Sequence, residues 1–222
     1  MSAAGAPGAG PRVVVATHNA HKVQELQRIL TGLVPGIELL AYDGPEPVED
    51  GISFEENALI KARAAARHTG LPAIADDSGI AVDILGGSPG IFSARWGGPA
   101  RDAGENLRLL LWQLSDVPEG HRGAAFCCAA ALAVPAAPTA GGGAVRDVAA
   151  ESVHLARWPG TILLEAAGSG GFGYDPIFRP EGHAVSAAEL SPAQKDAESH
   201  RTRAFRLLAP DLAALAPSRP AS

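Results

Sequence analysis

The chain has 222 residues, a formal net charge of −6 and a pI near 5.6, with 46% hydrophobic and 19% charged residues. That balance suits a single globular domain and excludes disorder for the body of the chain. The acidic surplus argues against a nucleic-acid binder. It leaves open a small phosphorylated ligand, which a few placed cations can hold locally.

Cys127 and Cys128 are the only cysteines, and as sequence neighbours they are poorly placed to bridge each other. The expectation is two buried thiols in a reducing cytoplasm. The N-terminal MSAAGAPGAGP carries no basic region followed by an apolar run, so residues 1–11 read as a flexible tail rather than a signal peptide, and 217–222 as a second tail. No stretch reaches the roughly 18 apolar residues of a membrane span. Neither a membrane nor a nucleic-acid partner is expected.

In chain order, RVVVAT (12–17) reads as a buried strand. From His21, Val23, Leu26, Ile29 and Leu30 share one helical face, and that helix ends near Gly32. IELLAY (37–42) is a second strand. Ser53 with Glu56 three residues on forms a capping-box pattern opening an Ala-rich helix that runs to Gly70. LPAIA (71–75) is a third strand, delivering Asp76 and Asp77 at its C-terminal end. The glycine-rich segment after them reads as loop with a short strand inside. DAGENLRLLLWQL is helical, RGAAFCCAAALAV a long strand and VRDVAAESVHLARW its partner, with a low-complexity tip in the 134–144 insert. GFGYDPIF is loop and short strand, and Ser191-Pro192 opens a largely helical C-terminal region. Alternating strands and helices imply one α/β domain over 12–216.

Several segments can carry chemistry. THNAHK (17–22) joins a strand to a helix, where first-turn N–H groups bind anions, although taken alone it reads first as an ordinary turn capped by Asn19. The only lysines are Lys22, Lys61 and Lys195 among 18 basic residues, so they mark places where arginine does not serve. Glu46, Glu49 and Asp50 lie in GPEPVEDG, an acidic loop that is solvated unless a partner recruits it. Asp76 and Asp77 sit at a strand end, where open α/β sheets bind ligands, and strand alternation gives them different faces and different tasks. A divalent cation shared with substrate phosphates relieves such a cluster of carboxylates; a turn capped by Asp and Ser is the plainer alternative. GGFGYDP offers a yielding backbone, two aromatic faces and Asp175, or merely a glycine turn. KDAESHR offers Lys195, His200 and Arg201, or merely a solvated helical face. No G-x-S-x-G, HExxH or CxxC motif accompanies them.

The runs ATHNAHKVQEL, EDGISFEENALIKA, ADDSGIAVDILGGSPGIFSAR, GGFGYDPIF, AAELSPAQK and SHRTRAF, in this order and from Arg12 to the final helix, resemble the inosine triphosphate pyrophosphatase family, the XTP/dITP diphosphatases. The resemblance implies an elongated mixed α/β fold with a long central sheet and two lobes around a cleft, usually a cytoplasmic homodimer. It implies Mg²⁺-dependent hydrolysis of ITP, dITP and XTP to monophosphate and pyrophosphate, keeping these bases out of DNA and RNA. Residue by residue, Thr17, His18, Asn19, Ala20, His21 and Lys22 match the triphosphate loop. Glu49 and Asp77 match the metal carboxylates, and Asp77 also matches the proton acceptor. Ser78 matches a substrate contact. Phe172, Gly173, Tyr174 and Asp175 match the stretch framing the base, and Lys195, His200 and Arg201 match contacts to the purine oxo groups. Arg157 and Ala156 depart from the pattern, standing where the family usually has a glycine-containing turn at a strand end. A non-catalytic nucleotide sensor, or a pyrophosphatase of other modified nucleotides, are the competing readings.

Overall fold

The computed structural model describes residues 10–137 and 147–216. Most of both expected tails, and of the 134–144 insert, therefore lies outside the described residues. A six-stranded mixed sheet in the order β2-β1-β3-β4-β5-β6 forms the backbone of the fold, with β1 at Arg12–Val15, β2 at Glu38–Ala41, β3 at Ala73–Val82, β4 at Gly123–Pro135, β5 at Val148–Ile162 and β6 at Phe178–Pro180. Strands β2, β1 and β3 run parallel, while β3 to β6 pair antiparallel. The helices are α1 (Ala20–Leu33), α2 (Phe54–Thr69), α3 (Ala103–Gln113), α4 (Pro192–Glu198) and α5 (His200–Ala213).

Three apolar clusters explain the two lobes. At one end of the sheet, α1 and α5 pack Leu26, Leu30, Phe205 and Leu208 against Val13, Ile74 and Leu132. On the opposite face, α2 lays Ala58, Ala62, Ala65 and Ala66 on Ala73, Ala75, Ala129 and Ala131. Methyl-on-methyl contact lets this helix lie close to the strands. The far end of β3–β5 builds its own core from Ile80, Phe126, Trp158, Ile162, Phe178 and Leu110 of α3. The long strands β3, β4 and β5 span both lobes. The elongated mixed α/β fold is thus as expected.

One boundary is corrected. LPAIA does not end the third strand: β3 continues through the aspartates to Val82, because β4 pairs with it in register from Ala73↔Ala133 to Val82↔Ala124. The short β1 stops pairing at Val15↔Ile74. Asp76 and Asp77 therefore lie mid-strand, just beyond the C-terminal end of β1. Arg157 and Ala156 likewise lie inside β5, opposite Cys127 and Cys128, not at a strand end. The box at the start of α2 is also displaced. Ser53 Oγ accepts from the Glu56 N–H at 3.2 Å, but Glu56 accepts from the N–H of Ile52, not of Ser53. Gly70 closes that helix at φ 67°, a conformation glycine adopts without strain.

Candidate functional site

Strand alternation separates the two aspartates. Asp76 shares its face with Ile74 and meets α1 and α5; Asp77 shares its face with Ala75 and meets α2. Lys22 Nζ donates to Asp76 Oδ2 at 3.2 Å, and Arg201 donates to the same oxygen through Nε at 3.2 Å and Nη2 at 3.1 Å. Arg201 also binds Glu25 at 2.8 Å and Ser78 Oγ at 3.2 Å. Burial pushes the Asp76 carboxyl up, but Lys22, Arg201 and Lys61 outweigh it and hold the group well below the usual carboxylate range.

Asp77 lives in a different field. Lys61 Nζ lies 3.0 Å from Asp77 Oδ1 and 3.1 Å from Glu49 Oε1, so one ammonium gathers both carboxylates. Asn57, one turn before Lys61, donates to Asp77 Oδ2 at 3.3 Å and accepts from the Gly51 N–H at 3.0 Å, pinning the acidic loop beside the strand. Burial raises the Asp77 carboxyl, Lys61 and Asn57 oppose that, the Glu49 charge adds to it, and the net shift is upward. Desolvation disfavours the Lys61 ammonium, yet Asp77, Asp76 and Glu49 together keep it firmly charged. Lys61 and Asn57 escaped the site assignment from sequence. The signals present were the scarcity of lysine and an asparagine inside an otherwise Ala-rich helix, where it gains nothing unless its amide is bonded.

The loop 17–22 closes this end. Asn19 Oδ1 accepts from the Lys22 N–H at 3.3 Å and its own N–H donates to Thr17 Oγ1 at 3.2 Å, so Asn19 caps α1 as expected. His18 stacks on Tyr42 at 5.7 Å and pairs with Glu46 at 3.1 Å. Ala20 and His21 open α1; nothing is assigned to their side chains. A cavity of about 190 Å³ is lined by Thr17, Lys22, Glu46, Glu49, Lys61 and Asp76.

A second cavity, of about 430 Å³, is lined by Asn19, Ser78, Phe172, Gly173, Tyr174, Asp175 and His200. Its floor is fixed by Gly79, where a Cβ would stand 2.4 Å from Ser93 Oγ. The 3₁₀ turn Gly90–Arg95 thus seats directly on β3, and Tyr174 Oη donates to the Ser93 carbonyl at 2.8 Å. Asp175 is buried and accepts from the Phe172 N–H at 2.7 Å and from Lys195 Nζ, so it braces the loop. Phe172 is 62% exposed, with Lys195 Nζ over its ring 5.0 Å from the centroid. His200 stacks on Phe126 at 4.9 Å; burial, then Arg201 and Lys195, keep it neutral at pH 7. The Arg201 guanidinium faces Asp76 and Glu25 and does not line the base-sized cavity.

Two hard oxygen donors held by a single compact ammonium fit a divalent cation that takes its remaining ligands from substrate phosphate and water. Among the described residues no group of three or more His, Cys, Asp or Glu is placed to hold a metal ion. No helix among the described residues is long and apolar enough to cross a membrane.

Comparison with known proteins adds to the geometry. A curated relative from Leifsonia xyli subsp. xyli, named dITP/XTP pyrophosphatase, is 57% identical over 209 residues, covering 94% of this chain and 98% of its own. A Mycobacterium abscessus structure described as a nucleoside-triphosphatase, dITP/XTP pyrophosphatase, matches with a TM-score of 0.68 at 48% identity, covering 89% of this chain and 98% of that one. A HAM1 protein from Coxiella burnetii matches with a TM-score of 0.78 at 36% identity, covering 92% and 99%. The Ham1 family model matches residues 13–211, so the chain belongs to the Ham1 family.

Proposed function

We propose that this protein hydrolyses the deaminated purine nucleoside triphosphates dITP, XTP and ITP to the monophosphate and pyrophosphate. The observation that carries the reading is the adjoining pair of cavities. One holds Lys22 and Lys61 beside Glu49 and Asp76, and the other has the aromatic faces of Phe172 and Tyr174. A triphosphate fits the first and a base the second, and relatives of 57% and 48% identity carry the name dITP/XTP pyrophosphatase.

In this reading Thr17 to Lys22 bind phosphate oxygens at the start of α1, where backbone N–H groups and the helix dipole favour anions. Lys61 holds Glu49 and Asp77 together. Glu49 and Asp77 would hold Mg²⁺, which would supply charge neutralisation on the phosphates. Asp77 takes a proton from the attacking water, directly or through a water it orients. The new bond forms between water oxygen and the α-phosphorus, the α–β bridging P–O bond breaks, and its electron pair leaves on pyrophosphate. General-base assistance of this kind is worth about 10²–10⁴-fold.

Selection for a 6-oxo purine rests on donors. Lys195 Nζ carries only donors, and a neutral His200 has one N–H to offer. An adenine 6-amino group offers these donors no acceptor, and such a mismatch is costly. A homodimer and a cytoplasmic location complete the reading. The test is incubation of the purified chain with dITP, XTP, ITP and ATP with and without Mg²⁺, scoring pyrophosphate against orthophosphate. Preferential, Mg²⁺-dependent release of pyrophosphate from the deaminated nucleotides is expected. Equal turnover of ATP, or orthophosphate as product, would overturn it.

A further inference from the structure

Among the described residues, Arg101 alone lines both cavities. It stands just before Asp102, the N-cap of α3, and its backbone has φ 53°, the only positive φ at a non-glycine position among the described residues. Non-glycine residues rarely hold that conformation unless the surroundings impose it. Here they do. Asn106 Oδ1 accepts from the Gly97 N–H at 2.5 Å, its amide donates to the Ala94 carbonyl at 3.2 Å, and the Arg101 N–H donates to the Gly98 carbonyl at 3.2 Å. The segment is braced from both sides.

Every other cation of the site already has an acid: Lys22 has Asp76, Lys61 has Glu49 and Asp77, Lys195 has Asp175, and Arg201 has Asp76 and Glu25. The exposed Arg101 guanidinium has no acceptor among the described residues. Around the smaller cavity Glu46, Glu49 and Asp76 face only Lys22 and Lys61 without it. A polyanionic ligand entering there needs a further cation, and the fork of a guanidinium matches two oxygens of one phosphate. The joint between a triphosphate cavity and a base cavity is where sugar and α-phosphate must pass.

Resting on the function proposed above, we infer that Arg101 binds the α-phosphate, or its bridge to the β-phosphate, and stabilises the charge that moves onto pyrophosphate as the α–β bond breaks. It is a substrate-contacting residue of the reaction, distinct from the phosphate loop and the carboxylates.

The experiment uses the full chain and the variants Arg101→Gly and Arg101→Lys. Glycine keeps φ 53° without strain, so it removes the cation and spares the fold. The expected result is a fall in kcat/KM for dITP of about 100-fold in Arg101→Gly, the scale of losing one preorganised donor to developing charge. Arg101→Lys recovers only part, and affinity for inosine, which has no phosphate, stays at the wild-type value. A kcat/KM within twofold of wild type in Arg101→Gly overturns the inference. So does an equal loss of inosine affinity, which marks Arg101 as merely shaping the cavity. If wild type itself releases no pyrophosphate from dITP, the functional reading fails and this inference with it. Pyrophosphate from both wild type and Arg101→Gly at equal rates sinks the inference alone.

Discussion

Asp76→Asn and Asp77→Asn change adjacent residues by the same atoms, and the structure assigns them opposite consequences. Asp76 is buried and bound to buried Arg201 and half-buried Lys22. The amide keeps its shape but strips the negative charge from between two cations. Removing one partner of a buried pair costs about 3–5 kcal/mol. Arg201 keeps Glu25 at 2.8 Å and Ser78 at 3.2 Å, which places the loss at the lower end. In a chain of this size 1 kcal/mol moves Tm by about 2–4 °C, so a loss of about 3 kcal/mol lowers it by roughly 6–12 °C. Asp77→Asn behaves differently. Its carboxyl is raised in the fold, so the neutral amide resembles the form that burial favours, while Lys61 retains Glu49. Stability is unchanged or slightly higher, and turnover of dITP is lost while nucleotide binding persists. Thermal unfolding by circular dichroism and pyrophosphate release, measured on both variants, decide the matter. A Tm for Asp76→Asn within about 2 °C of wild type would refute the reasoning, since about 1 kcal/mol or less would then separate them. Full turnover by Asp77→Asn would remove it from the chemistry.

Two more outcomes follow from the same charges. The Asp76 carboxyl is depressed in the fold, so its stabilisation is present above the unfolded value of 3.8 and drains away as pH falls towards the folded value. Urea midpoints between pH 5 and 3 should therefore drop more steeply in wild type than in Asp76→Asn; parallel slopes would contradict the assignment. Lys61 lowers the Asp77 carboxyl against burial and Glu49, so Lys61→Gln should move the acid limb of kcat/KM to higher pH, and an unmoved or lowered limb would show that another group sets it.

How far these features were legible varies by residue. The period of two along β3 already separated Asp76 from Asp77, and that separation is observed as two networks on two faces. The rarity of lysine pointed to all three site ammoniums, yet only the tertiary packing shows that Lys61 gathers Glu49 and Asp77. The end of β3 lies beyond the apolar run because hydrophobicity reports burial, whereas strand continuity here comes from β4, whose ladder carries two carboxylates and a serine in extended form. Arg201 was readable as a site cation but not as one turned inward, because which face of α5 it occupies depends on where that helix meets β4 and β5. Arg101 lies in a loop, WGGPARD, with no periodicity to place it.

The adjacency of the two aspartates has a physical use that neither residue has alone. Two carboxylates this close in sequence would ordinarily raise each other, and the chain avoids an even split by giving them unequal company. Lys22 and Arg201 commit Asp76 to its charged form, and Lys61 contributes to both. Because Asp76 is locked as an anion inside the fold, it fixes α1 and α5, and with them the 17–22 loop and His200, against β3. Asp77 is then left with one shared lysine, one amide and a neighbouring Glu49, and its carboxyl is raised rather than lowered. Charge that holds the frame and charge that can change are placed one residue apart, on opposite faces of one strand.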